Sequence, residues 1–600
     1  MKAEARSLTF LSNEGLVKIP FFQRAYVWNK TNWEELISDL LENDKSHFLG
    51  SLILKQVSVN SGDTKQVLVI DGQQRLTTLS ILLRTLYDSF DADIQENCKH
   101  RLETCLFYKK SASSKELFVK IQHSKVDCKH YQSVINKEID PSAPDNDESG
   151  SNILKCYKFF TERLESVDMQ KRIELFDNLM NDDKKIIVVI DLTDADDEQS
   201  IFDTINSAGL RLSSADIVKN VLFQKAFDLY EKSEDVENLY KDNWESVFLT
   251  DEQAIEFWGS ERTLGRLRRD NLEILLHSIA VIEGFFDPDK HTLSDLANIY
   301  KTHINQCDSA ELKNFLKAIH EYAKLYRQKM YLFDNSDLFS FKDYEKRLFH
   351  ILSVCDVSTF HPFILYLYRN YSVRESDLKN IFHKLEIFII RRFVCNSETK
   401  HYNKLCKEFI DDLTKLEPIS KETIDDNFKY ALQKINNKQA TLVLFWVELY
   451  RRSIDKRYDS DELKYTYTLE HVMPQKWEEH WSNIPIRDEN NNVIDNPDAA
   501  KQYRYKLIYS IGNMTLLKSS LNSALRNYDF ERKIKGDGRK RGIQYYAELG
   551  ITKTDIVAPY DTGNTEWNES RIIARGNDIT NDVLTIWSPI AANQITSSLV

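Results

Sequence analysis

Alternation and helical periodicity divide the chain into three stretches. Phe48 to Val57 and Gln66 to Ile70 carry the period of strands, joined by a polar turn around Asn60-Ser61-Gly62-Asp63. Leu76, Leu79, Leu83 and Leu86 then fall on one stripe of a helix that starts just past Asp71-Gly72-Gln73-Gln74-Arg75. Thr31-Asn32-Trp33-Glu34 has the spacing of a capping box and opens another helix, and Ile186 to Leu192 reads as a further strand. From about 236 to 440 the period is mainly helical, with Trp244, Phe257, Trp258, Leu264, Leu272, Leu275 and Leu276 as expected core. Farther on, Tyr465, Tyr467 and Leu469 alternate with Lys464, Thr466 and Thr468, a half-buried strand that ends on Glu470-His471 before Pro474 bars its ladder. Tyr509 to Leu517 is expected as a second strand bent at Gly512-Asn513, and Ser519 or Ser520 as the cap of a helix carrying Asn522 and Arg526.

Composition fits a large helix-rich enzyme. Six hundred residues exceed one core, and 16 Gly with 11 Pro leave little room for long flexible linkers. The expected divisions are residues 1–235, a helical connector over 236–440, a third domain over 441–590 and a tail over 591–600. Acidic and polar residues over 140–148 mark a loop inside the first. The apolar stretch Leu385–Val394 is short and interrupted by Glu386, Arg391 and Arg392, so no membrane segment is expected; Arg391-Arg392 reads as surface. None of the eight cysteines forms a C-x-x-C pair or a zinc spacing, which points to a reducing cytoplasm.

The richest chemistry lies in Leu469-Glu470-His471-Val472-Met473-Pro474-Gln475, Gly512-Asn513-Met514-Thr515-Leu516-Leu517 and Leu521-Asn522-Ser523. Near neutral pH a histidine can draw a proton from water. A carboxylate with an amide oxygen can hold one hard divalent cation and leave room for water and phosphate. Those parts suffice to cut a phosphodiester. A net charge of −13 does not oppose this, because the local field governs phosphate binding. Arg526, on the helix of Asn522, and the basic run Arg532 to Arg541 that follows it, with Lys533, Lys535, Arg539, Lys540 and Arg541, are expected to contact DNA.

Near the amino terminus, Ile19-Pro20-Phe21-Phe22-Gln23-Arg24-Ala25-Tyr26-Val27-Trp28 precedes Asp71-Gly72-Gln73-Gln74-Arg75. A strand, a tight glycine turn and a helix start make a setting for phosphate, since free N–H groups and the positive helix end face one point. Arg75 adds a fork of donors and Asp71 a place for a cation or water. No Walker loop is present.

These motifs resemble the GmrSD family of modification-dependent restriction endonucleases. The carboxy-terminal blocks are similar to the ββα-metal finger of HNH (His-Me finger) nucleases. I-P-x-F-Q-R-x-Y-x-W with D-G-Q-Q-R-L-T-T-L resembles the family's ParB/sulfiredoxin-like amino-terminal domain, and Phe202, Asn206, Gly209, Leu212, Asp216 and Lys219 fit its third block. Trp567, Arg571, Arg575 and Trp587 fit the closing segment. The resemblance implies an α+β, multidomain protein with His471 as general base, Asn513 orienting it, and Glu470 and Asn522 as ligands of Mg or Mn. It further implies that Gln23, Arg24, Asp71, Gly72, Gln73, Gln74 and Arg75 bind a nucleoside triphosphate. Implied partners are modified double-stranded DNA and a nucleotide, with a homo-oligomer as an option and no membrane. Asn206 and Lys219 read first as packing or capping residues. Two other readings stay open: a ParB-like DNA-binding regulator with an inactive nuclease fold, and a nicking enzyme directed at backbone-modified DNA.

Overall fold

The computed structural model describes residues 2–42, 49–57, 64–110, 116–139, 151–193, 213–230, 232–264, 267–330, 333–371, 375–417, 423–458, 460–490, 492–525 and 527–589. Phe202, Asn206, Gly209, Leu212, Arg526 and the 591–600 tail lie outside them. The chain is mixed α/β, mostly helical, and packs as two units, Met1–Val236 and Glu237–Val600.

The first unit is built on a six-stranded mixed sheet. Its strands are β1 (Lys2–Arg6), β2 (Leu16–Lys18), β3 (Ser51–Val57), β4 (Gln66–Asp71), β5 (Ile121–Gln122) and β6 (Ile187–Leu192), in the order β1-β6-β3-β4-β2-β5. The β3–β4 pair is antiparallel, with an irregularity between Ile53 and Leu54. Strand β4 runs straight into helix α1 (Gln73–Asp88), whose Leu76, Leu79, Leu83 and Leu86 are all fully buried. The helix holding Trp33 spans Lys30–Glu42, starting before the expected box. Asn29 Oδ1 accepts from Thr31 N–H at 3.0 Å and Asn32 Oδ1 from Asn29 N–H at 3.2 Å, so the asparagine pair supplies the start.

His123 sits beside Thr77 Oγ1 at 2.9 Å, and burial pushes its imidazole down to about 3. A folded pKa below the unfolded value means that the unfolded chain takes the proton first. This contribution to stability is therefore present above pH 6.5 and is lost as pH falls toward 3. Buried His350 and half-buried His277 act in the same direction. Across that window each such histidine tilts stability by up to about 1.4 kcal/mol per pH unit. The Tm of the full chain is expected to drop between pH 6.5 and 4.5, less steeply in His123→Gln; the same slope in both proteins would contradict this.

The second unit holds both the helical stretch and the carboxy-terminal segment. Trp244, Trp258, Leu275 and Leu276 are buried as expected, while Phe257 and Leu272 are half-buried. Arg391 corrects the expectation of a surface pair. It is fully buried on α2 (Glu375–Val394), donates to the carbonyls of Thr423 and Trp587, and pairs with Asp425 at 2.6 Å. Glu386, on the same helix, accepts from Arg347 and from Trp587 Nε1. Among the described residues no helix is long and apolar enough to cross a membrane.

Candidate functional site

In the second unit, β7 (Tyr467–His471) pairs antiparallel with β8 (Met514–Lys518), setting Glu470 opposite Thr515 and His471 opposite Met514. The second strand is shorter than expected. Tyr509 ends helix α3 (Pro497–Ile508), and residues Ile511–Asn513 make a tight helical turn before the strand begins. Helix α4 (Ser519–Leu525) follows directly, completing a ββα arrangement.

Side chains from these elements converge on residues 468–473. Asn513 is fully buried. Its Oδ1 accepts from Met473 N–H at 2.8 Å, its Nδ2 donates to Met473 O at 2.9 Å, and its backbone carbonyl accepts from Val472 N–H. It therefore fixes the turn just after His471 through the backbone. The Asn513 amide bonds to backbone groups of Met473 and Ile508 and to Trp567 Nε1, so any hold it has on the His471 ring passes through the turn. Asn522, on α4, donates from Nδ2 to Thr468 Oγ1 at 3.0 Å and Leu469 O at 2.8 Å, so its amide reaches the same strand.

His471 is half-buried, with its ring edge-on to Tyr509 at 6.1 Å between centroids. Its Nε2 is buried and has no hydrogen-bond partner among the described residues. Burial, helped by the Lys533 charge, pushes the imidazole down to about 4. The ring is neutral at physiological pH, the state a general base requires.

Lys533 is the main residue that the sequence misplaces. Expected among the DNA contacts, it is fully buried on α5 (Phe530–Lys535) and donates to Glu470 Oε1 at 2.5 Å and to His471 O at 2.8 Å. Burial pushes the Glu470 carboxyl up and the Lys533 ammonium down, while their mutual attraction opposes both shifts. Lys535, Arg539, Lys540 and Arg541 are exposed, on and after the same helix. The loop that bears the last three is shaped by Gly536 and Gly538 at φ 98° and 81° and by Asp537, whose carboxylate accepts from Arg539 and Lys540 N–H.

A further layer holds the turn of Asn513. Trp567 Nε1 donates to Asn513 Oδ1 at 3.0 Å, and Arg575 donates to the carbonyls of Gly512 and Met514. Both come from the closing segment, Arg575 from α6 (Glu569–Ile586). A Cβ on Gly512 would lie 2.1 Å from Ile572 O, so only glycine lets the turn meet that helix.

The residue types would suit a hydrated divalent cation: Glu470 would supply a carboxylate and Asn522 an amide oxygen, and water would have to fill the remaining positions. Among the described residues no group of three His, Cys, Asp and Glu is gathered for a protein-only cage. Lys533 already compensates the Glu470 charge. The fit is therefore to a lightly held ion.

In the first unit the D-G-Q-Q-R turn and the segment from Gln23 to Trp28 are laced together. Gln23 Nε2 donates to Val69 O at 2.7 Å, Gln73 Nε2 to Arg24 O at 3.1 Å, and Gln74 Nε2 to Ala25 O at 3.1 Å, while Gln74 Oε1 accepts from Val27 N–H. The donor groups of all three glutamines are thus engaged with backbone. Gly72 adopts φ 89° as the residue before α1, and a side chain there would strike Ser51 O. Arg75 donates to Ser51 O at 2.7 Å and lies against Gly50. Burial pushes the Asp71 carboxyl up, against the pull of Gly72 N–H, Arg75 and Arg24. Arg24, Arg75 and a helix start without a side-chain cap are groups that suit phosphate, and Asp71 is one that suits a cation or water. From the third block, Lys219 pairs with Asp216 at 3.2 Å, a helix-start contact.

Residues 8–223 match the family model described as GmrSD restriction endonuclease, N-terminal domain, and residues 422–582 the one described as GmrSD restriction endonucleases, C-terminal domain. The chain belongs to the GmrSD family. It is also similar to the uncharacterized protein MJ0686 of Methanocaldococcus jannaschii, 25% identical over 257 residues that cover 36% of this chain and 41% of the relative. The chain thus spans about two fifths of that relative's length. Every element of the ββα arrangement falls inside the second matched stretch, and the D-G-Q-Q-R turn inside the first.

Proposed function

We propose that this GmrSD-family chain is a restriction endonuclease that cuts modified DNA by hydrolysing a phosphodiester at His471. The observation that carries this reading is the neutral, half-buried imidazole with an unpartnered Nε2, at a strand end shared with Glu470 and reached by Asn522. In this reading the ββα segment acts as an HNH-type finger. His471 takes the proton of the attacking water, Asn513 fixes the turn behind it, and Glu470 and Asn522 hold Mg or Mn. The bound ion would neutralise charge on the phosphate and favour departure of the leaving oxygen. Lys533 keeps Glu470 ionised in a buried setting and anchors the carbonyl of His471. Exposed Lys535, Arg539, Lys540 and Arg541 meet backbone phosphates, a contact that positions DNA without reading its sequence.

The first unit, in the same proposal, is a ParB/sulfiredoxin-like sensor that binds a nucleoside triphosphate at Arg24, Asp71 and Arg75. Its glutamines hold the loop that shapes the site. Chelating divalent ions should stop cleavage of modified DNA, and adding back Mg or Mn should restore it. Arg75→Ala should weaken nucleotide binding and its influence on cutting while leaving the metal requirement unchanged. Cleavage that persists in chelator would remove the metal from the account. Unchanged nucleotide binding in Arg75→Ala would leave the turn structural.

A further inference from the structure

An open cleft of about 780 Å³ lies in the second unit between Lys434–Asn437 and the exposed edge of α3, lined there by Tyr505, Lys506 and Tyr509. Tyr505 and Tyr509 stand one helical turn apart, and each leaves 43% of its surface exposed. Both walls are held. Ile435 N–H donates to Tyr509 O at 3.2 Å, and the Tyr505 hydroxyl bonds to the Glu478 carboxylate while its ring meets Trp477 edge-on. Lys434 and Lys506 are exposed on opposite sides; the Lys434 ammonium donates to the exposed Tyr430 hydroxyl at 2.8 Å and lies over that ring. Tyr509, which lines the cleft, also holds its ring edge-on to that of His471, at 6.1 Å between centroids, and so links the cleft to the candidate base.

Held aromatic faces between two exposed lysines, neither drawn onto a carboxylate among the described residues, suit a π-face carried on a phosphate chain. We propose that this cleft takes an unpaired nucleobase of the DNA strand being cut, stacked on Tyr505 and Tyr509, with Lys434 and Lys506 on the flanking phosphates. The inference rests on the nuclease reading above and adds what it lacks, a grip on the strand beside the reacting phosphate. Stacking explains why the tyrosines face solvent, and it tolerates any base because every base has a π-face.

The test uses the full chain carrying His471→Ala, so that DNA is bound without being cut. Affinity is measured for a single-stranded oligonucleotide, for the same strand with abasic positions, and for the corresponding duplex. Tyr505→Ala/Tyr509→Ala is expected to weaken binding of the base-bearing strand by about tenfold or more, since each stacked base contributes substantially. The abasic strand and the closed duplex should change by less than about twofold, because backbone contacts remain. Tyr505→Phe/Tyr509→Phe should bind like the parent. Lys434→Gln/Lys506→Gln, which leaves the aromatic walls alone, should lower the salt slope for the strand by about one ion per lysine. Unchanged affinity in the alanine variant, or an equal loss on base-bearing and abasic strands, would overturn the proposal. So would tyrosine-dependent binding of a free mononucleotide without tyrosine-dependent binding of the strand. The readout is binding, so it judges the cleft separately from cleavage: wild-type protein that cuts nothing would refute the nuclease reading and not this contact.

Discussion

His471→Ala is expected to lower the rate of DNA cleavage by about 10²–10⁴-fold, the range a positioned general base contributes, while the chain stays folded. The ring contributes little packing, because its neighbours are held by other bonds. Asn513 fixes Val472 and Met473, Lys533 holds the His471 carbonyl, and Asn522 holds Leu469. Removing the imidazole therefore takes away the proton acceptor and leaves the strand end in place. Single-turnover cleavage with purified protein gives the rate, and a denaturation curve checks the fold. A rate within about threefold of wild type would take His471 out of the mechanism, since such a change is below the smallest effect expected of a base.

The second large effect concerns stability. Lys533→Met keeps an unbranched side chain one atom shorter but leaves the Glu470 carboxylate buried without its cation, and the Lys533 and Glu470 side chains are only 0% and 11% exposed. Breaking one partner of a buried pair commonly costs about 3–5 kcal/mol. Lys533→Met should lose stability on that scale in chemical denaturation of the full chain. Lys533→Met/Glu470→Gln should recover much of it, because no net charge is then left inside. A loss below about 1 kcal/mol in the single variant would mean that the pair is solvated and not part of the interior.

Local pattern carried much of this architecture. The strand ending at Glu470-His471, the helix of Asn522 and the α1 stripe are all visible in periods of two and of about 3.6 residues. The family was legible for the same reason, since its motifs are short and contiguous. Lys533 was not legible. It lies in a run of basic residues, and only the turn of α5 back toward β7, 63 residues away in sequence, shows that this one side chain points inward. Arg391 failed in the same way: an arginine beside an arginine reads as surface, yet carbonyls of Thr423 and Trp587 await it inside. The extended reading of Tyr509–Leu517 missed the turn at Ile511–Asn513, because a buried turn gripped by Arg575 and Trp567 has no periodicity of its own. For the glutamines of the D-G-Q-Q-R turn, the letters matched a motif but could not show that their amides bond to backbone across 46 to 49 residues of sequence. Tyr509 read as the start of a strand, whereas it follows the last turn of α3.

The central claim is that this chain cuts DNA because the DNA is modified. The most direct measurement is digestion of matched phage DNAs, one carrying modified bases and one plain, by purified wild-type protein with a divalent ion and a nucleoside triphosphate, beside His471→Ala under the same conditions. The account predicts fragments from the modified DNA with the wild type, none from the plain DNA, and none from either with His471→Ala. Equal cutting of both DNAs, or fragments that persist with His471→Ala, would contradict it.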